Sequence, residues 1–229
     1  MVMACLKYGQ YFSQYDIRDI AVIDPVNKQS GGHWYSIGVN DQFTSEKVRL
    51  TSLEYPSGAS TEDYIIWMKK LLRKGYAVTI CVYMNHYLFY LETDPEAGYK
   101  EYDHIVTLRK IESDFDDDEY HESDIITIAD HGLWSPRITG PPYYFSFVAK
   151  DFMGNREEAN DPNGNIYTLP KREFTTRNYG IAQTGIYDEK SECLNVTLTT
   201  NVNNEDPQIA IHSEVRPTPM AINLVSCIH

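Results

Sequence analysis

Two residues at the ends of consecutive apolar runs carry the chemistry that this chain suggests most directly. His104 opens the run Ile105-Val106-Thr107-Leu108, and Asp130 closes the run Ile125-Ile126-Thr127-Ile128-Ala129. An imidazole at the start of one strand and a carboxylate at the end of the next is a base with its orienting acid. The ring takes a proton from a nucleophile and later returns one to the leaving group, while the acid holds the useful tautomer and stabilises the cation. Both residues also have plain structural readings. His104 follows Asp103, an ordinary half-buried pairing, and Asp130 precedes His131-Gly132 and can simply break a strand. The nucleophile that such a pair would serve is not evident from the residues around it. Cys5 is the cysteine closest to the chain start, flanked by Ala4 and Leu6 inside an apolar segment, which is also where a buried structural thiol belongs.

The elements that must position these groups can be read from periodicity. Tyr64, Trp67, Met68, Leu71 and Leu72 form one stripe at helical spacing, with Ser60 or Thr61 as the cap, Glu62 and Asp63 in the first turn, Arg73 and Lys74 at the end and Gly75 beyond. Lys69, Lys70, Arg73 and Lys74 then form the solvated face of that helix. Earlier, Met1 to Tyr8 reads as a short apolar helix stopped by Gly9, and Ser13 with Asp16 forms a capping box for a helix over Tyr15 to Val22. Residues 26–60 read as strand-like, with strands expected at Trp34 to Val39 and Val48 to Leu53. Strands follow at 77–84, 103–111, 124–129 and 143–148. The acidic stretch from Asp114 to Asp124 lacks the glycine and the terminal glutamate of a calcium loop, so it reads as a solvated hairpin tip. Residues 153–165, polar and carrying Gly154, Pro162 and Gly164, read as a linker. Residues 166–229 read as a small all-β module, with strands at Tyr179 to Ile186, Leu194 to Thr200 and Ala221 to Val225.

The order of helix, Gly75, apolar strand, His104-initiated strand, hairpin and strand ending in Asp130 resembles the papain-like cysteine peptidases. The nearest branch is the peptidases that remove double-glycine leaders from bacteriocins, and their peptidase-like relatives. The resemblance covers roughly residues 1–150. It implies an α+β papain-like fold over residues 1–152, an antiparallel sheet packed on helices, followed by the β module. It also implies a peptide or protein substrate, His104 as base and Asp130 as its orienting partner. In that family the nucleophilic cysteine begins the first helix, and an oxyanion-hole glutamine lies upstream. Both positions fall before Met1 here, so the resemblance implies an N-terminally incomplete peptidase domain, a scaffold kept without its chemistry, or a role for Cys5.

Bulk properties narrow the alternatives. The chain has 229 residues, a formal charge of −13 and a pI near 4.9. That acidity excludes nucleic acid and anionic lipid as expected partners, and no apolar run reaches the length of a membrane span. Four scattered cysteines do not make a disulfide framework, and one sequon, Asn195-Val196-Thr197, leaves the compartment open. No cofactor and no metal is called for. A zinc hydrolase drawing on His33, His86, His104, Asp130 and His131 is a lesser alternative, since no spacing pins two ligands to one face. A non-catalytic binding protein is the main one. The 18 tyrosines include Tyr83, Tyr87, Tyr90, Tyr99 and Tyr102, which with Phe89 and Trp134 could line a peptide groove. His33, Trp34, His86, His131 and Trp134 are the candidate cleft-lining residues. In Gly31-Gly32-His33-Trp34-Tyr35 the simpler reading is a strand start with Trp34 packed on the core.

Overall fold

The computed structural model describes residues 2–23, 39–56, 60–116, 118–130, 143–171, 178–188, 191–194, 197–199 and 210–212. They fall into two compact units, residues 1–195 and 196–229. The first unit is α+β. Its helices α1 (Val2–Lys7), α2 (Gln14–Val22) and α3 (Val39–Lys47) precede strand β1 (Leu50–Glu54), and the long helix α4 (Thr61–Arg73) precedes β2 (Ala77–Met84). A short helix α5 (His86–Tyr90) is followed by β3 (His104–Glu112), β4 (Ile125–Ala129) and β5 (Tyr144–Val148). Then come α6 (Ala149–Phe152), β6 (Met153–Gly154), α7 (Arg156–Ala159), β7 (Tyr167–Pro170), β8 (Gly180–Asp188) and β9 (Ser191–Leu194). In the second unit β10 (Thr197–Thr199) pairs antiparallel with β11 (Ala210–His212).

The main sheet runs β1-β8-β2-β3-β4-β5, antiparallel throughout. β9 extends β8, and β7 pairs with the far end of β2. Helix α4 forms where its sequence says it should. Ser60 and Asp63 satisfy each other's backbone amides in a capping box, and Gly75 leaves the helix at φ +74°, a conformation that glycine adopts without strain. Its stripe of Tyr64, Ile65, Met68 and Leu71 is buried against Val78, Ile80, Val82 and Met84 of β2, with Val106, Leu108, Ile126 and Ile128 completing the layer. Each such side chain contributes about 1.5–3 kcal/mol on burial, so this interface fixes the sheet face on which the site is built. On the opposite face Cys81, Tyr179 and Ile181 pack with Tyr102 and Ile105.

Four expectations are corrected. Val39–Lys47 is helical, not part of a strand-like stretch: Asn40-Asp41-Gln42 gives no two-residue alternation, and Thr44 and Ser45 bury one side of the turn. Residues 34–38 of the expected strand, and Ala221 to Val225, lie outside the described residues. Among the described residues the strands that follow residue 166 do not begin a separate β module. β7 to β9 belong to the first unit, and β8 is inserted between β1 and β2. Alternation reveals a strand, but its partner is chosen by long-range packing that alternation does not encode. Residues 153–165 are not a linker, because Arg156 and Asn160 are buried in a polar network described below. Finally, Lys69 and Asp124 are not solvated. Lys69 donates to Asp124 (3.1 Å), Ser113 Oγ (3.0 Å) and the Glu119 carbonyl (2.8 Å), closing the base of the β3–β4 hairpin.

Candidate active site

His104 begins β3 opposite Val82, and Asp130 follows the last residue of β4, its amide donating to the Tyr143 carbonyl. Thr107 pairs with Ala129. The next pair in that register sets Asp130 against Val106, with His104 diagonal to it on the same face, a separation that long side chains span. His104 Nε2 and Asp130 Oδ2 are 3.0 Å apart. The same Oδ2 accepts a hydrogen bond from the Tyr167 hydroxyl at 2.5 Å. Tyr167 reaches it from β7, whose pairing with Met84 places it at the same end of the sheet.

Burial makes this cluster specific. The Asp130 side chain is 5% exposed and that of His104 19%, so the carboxylate is shielded while the ring is partly exposed. The Tyr167 ring lies nearly parallel to the imidazole, with centroids 5.8 Å apart, and is held by Phe145 and Phe89. Burial, and then the adjacent Asp130, push the Tyr167 hydroxyl far above the usual phenol range, so it stays a donor. A carboxylate only accepts. Nε2 therefore carries the hydrogen in the neutral ring, and proton exchange with a third group runs through Nδ1.

A second histidine–carboxylate pair lies next to this one in sequence. Asp103 turns away from His104: its Oδ2 meets His86 Nε2 at 2.7 Å and Arg156 Nη1 at 2.7 Å, and its Oδ1 accepts from the Met84 amide. Arg156 also donates to the Met84 carbonyl and Asn160 Oδ1, and Asn160 holds the carbonyls of Pro95 and Ala97. A Cβ placed on Gly98 would lie 2.6 Å from both Asp103 Oδ2 and His86 Nε2. The cluster is thus closed to a substrate, and its carboxylate is already neutralised by Arg156. It is a structural clamp, and His86 belongs to it rather than to an open cleft.

The thiols are elsewhere. Cys5 is fully buried in α1, and burial pushes its thiol up, the wrong direction for a nucleophile. The Tyr8 hydroxyl, one turn further on, donates to the Gln183 carbonyl, and Gln183 pairs with Ala77. His104 lies opposite Val82, about 16 Å further along β2. The structure brings His104 and Asp130 together and keeps Cys5 at the other end of the sheet. Cys81 is buried as well. His33, Trp34, His131 and Trp134 lie outside the described residues. Of the aromatic set, Tyr83 and Phe89 are core, whereas Tyr90 and Tyr99 are exposed. Tyr167, the residue that completes the cluster, was missed by sequence reasoning. Its strand Tyr167-Thr168-Leu169 offers only alternation, and nothing local links it to Asp130.

Among the described residues no three His, Cys, Asp or Glu side chains converge as a metal site would require, and no helix is long and apolar enough to cross a membrane. A cavity of about 410 Å³ opens between Lys69–Arg73 of α4 and Arg109–Phe115, at the end of β3 away from His104. Its basic residues do not converge. The Arg109 guanidinium sits over the Tyr144 ring on the other sheet face, and Lys110 pairs with Glu112. No family model matches the chain, and neither a curated protein nor a solved structure matches it.

Proposed function

We propose that the first unit is a papain-like cysteine peptidase scaffold acting on peptides, with His104 as its base and Asp130 as the acid that orients it. The observation that carries this reading is the 3.0 Å contact between Nε2 and a carboxylate that is itself shielded from water. A thiol outside the described residues supplies the nucleophile. His104 Nδ1 takes its proton, and the thiolate attacks the scissile carbonyl carbon. The imidazolium gives that proton to the leaving amine as the C–N bond breaks, and water then hydrolyses the thioester.

The test is covalent. The longest natural chain containing this sequence is treated with a peptide bearing a thiol-directed electrophile, and the modified residue is found by mass spectrometry. One cysteine should react at neutral pH, and His104→Ala should slow it by about 100-fold or more. Labelling that ignores His104→Ala removes the peptidase reading.

A second reading, a scaffold that binds peptides without cleaving them, is favoured by the burial of both Cys5 and Cys81. It requires that no cysteine react preferentially while a peptide still binds.

A further inference from the structure

We infer that Tyr167 is the positioning residue of the His104–Asp130 pair, locking the carboxylate so that the imidazole is presented in one orientation. The inference rests on the reading of His104 as a base and adds a residue that this reading does not require. Three observations converge on it. First, Asp130 Oδ2 is shared: it faces Nε2 at 3.0 Å and the Tyr167 hydroxyl at 2.5 Å. A carboxylate turns about its terminal bond in a broad, two-fold manner. A second donor on the atom that faces the imidazole opposes that turn. Second, the same tyrosine constrains the ring directly, lying at 20° to the imidazole plane. Third, Tyr167 is itself immobilised. It is fully buried, it stands in a strand paired to Met84, and Phe145 packs edge-on against its ring.

The pairing of β7 with β2 sets the position of Tyr167. Tyr167 and Met84 are opposite one another, and Met84 continues the core face of Val82, the residue opposite His104. One strand end therefore aligns acid, base and hydroxyl. The hydroxyl keeps its proton throughout the pH range in which a histidine base works, because burial and Asp130 both resist its ionisation. It serves as a constant donor and never as a second negative charge beside the carboxylate.

The experiment compares the wild-type chain with Tyr167→Phe and Phe89→Leu. Phe89→Leu disturbs the packing of the Tyr167 ring but leaves its hydroxyl. Nuclear magnetic resonance of protein labelled with nitrogen-15 at histidine follows the exchange of the His104 Nε2 proton with water, a readout that needs no activity. Tyr167→Phe is expected to speed that exchange about tenfold or more, the effect of one lost charge-assisted hydrogen bond. Phe89→Leu is expected to leave it within about twofold. Unchanged exchange in Tyr167→Phe overturns the assignment, and so does equal acceleration in both variants, which would make Tyr167 a packing residue. The thiol-labelling rate, measured on the same variants in the longest natural chain, should fall with Tyr167→Phe. If no variant and no wild-type chain labels at all, while the proton-exchange pattern holds, then the peptidase reading fails and the positioning of His104 stands.

Discussion

Replacing Arg156 by methionine tests whether the clamp beside the candidate site holds the start of β3. Arg156 is 9% exposed and Asp103 6%. The guanidinium lies 4.3 Å over the Tyr83 ring and donates to Asp103, to the Met84 carbonyl and to Asn160 Oδ1. Methionine keeps much of the hydrocarbon stem and removes every donor. Hydrogen bonds to charged groups contribute about 1.5–3 kcal/mol each. Their sum overstates the loss, because the arginine also regains its hydration in the unfolded chain. The better guide is the removal of one partner from a buried ion pair, about 3–5 kcal/mol, about a fifth or more of the stability of an ordinary domain. With a urea dependence of about 2 kcal/mol per molar, the midpoint should drop by about 2 M. The assay is urea unfolding followed by tryptophan fluorescence. Arg156→Met/Asp103→Asn removes the stranded charge yet keeps an oxygen for the Met84 amide, so it should be more stable than Arg156→Met alone. A cost below about 1 kcal/mol, the range of exposed pairs, would refute the reasoning. A double variant no better than the single one would refute it too.

Three further outcomes follow from buried groups. Lys69→Met should cost about 3–5 kcal/mol, because Asp124 is fully buried and its Oδ1 already has no partner among the described residues, whereas Lys69→Met/Asp124→Leu should lie near wild type in the same urea assay. Tyr64 and Tyr167 both keep their protons in the folded state above the unfolded phenol range. The folded chain therefore binds more protons than the unfolded one above about pH 10, and each tyrosine should lower stability by about 1.4 kcal/mol per pH unit there. Their contribution is fully present below that range. Unfolding free energies from pH 9 upward should show a shallower fall in Tyr167→Phe than in wild type, and parallel curves would contradict the burial of this hydroxyl. Gly98→Ala should destabilise by about 2–4 kcal/mol, since Gly98 has φ +99° and its Cβ would press on Asp103, His86 and Arg156. Thermal unfolding reads that directly.

What the sequence disclosed divides by range. Helix α4 was legible in its stripe and its Ser60–Asp63 cap, because both are local. The strands of His104 and Asp130, and their meeting, were legible because a hairpin connects them and short connections leave little choice of partner. Lys69 was misjudged for the opposite reason. A lysine in a basic cluster on a helix is usually solvated, and nothing near it announces Asp124, which completes the pair from the far side of a hairpin. The same holds for Arg156, whose polar neighbourhood looked like a linker until Asp103 and Met84 were brought to it. Tyr167 had no local signal. Its role arises where β7 meets β2, and that pairing is set by the packing of the whole sheet.

The meeting of His104 and Asp130 depends on one residue that does no chemistry. Near the hairpin tip Ile111 pairs with Ile126 and Lys110 with Thr127, yet Leu108 pairs with Ile128 and Thr107 with Ala129. Arg109 is therefore the extra residue of a β-bulge, two residues of β3 opposing one of β4. A regular ladder continued from Ile111 would set Thr107 against Asp130. His104, three residues before Thr107, would then point to the other face of the sheet. The bulge restores the phase, so that His104, Val106 and Leu108 share the face of Ile111, the one turned to α4. The spacing of Val106, Leu108 and Ile111, two and then three, carries this in the sequence itself. Burial follows it, with Val106 and Leu108 inside and Arg109 and Lys110 exposed. The bulge that keeps the apolar residues of β3 in the core is the same feature that delivers the imidazole to its carboxylate, so the packed sheet and the His104–Asp130 contact rest on one register.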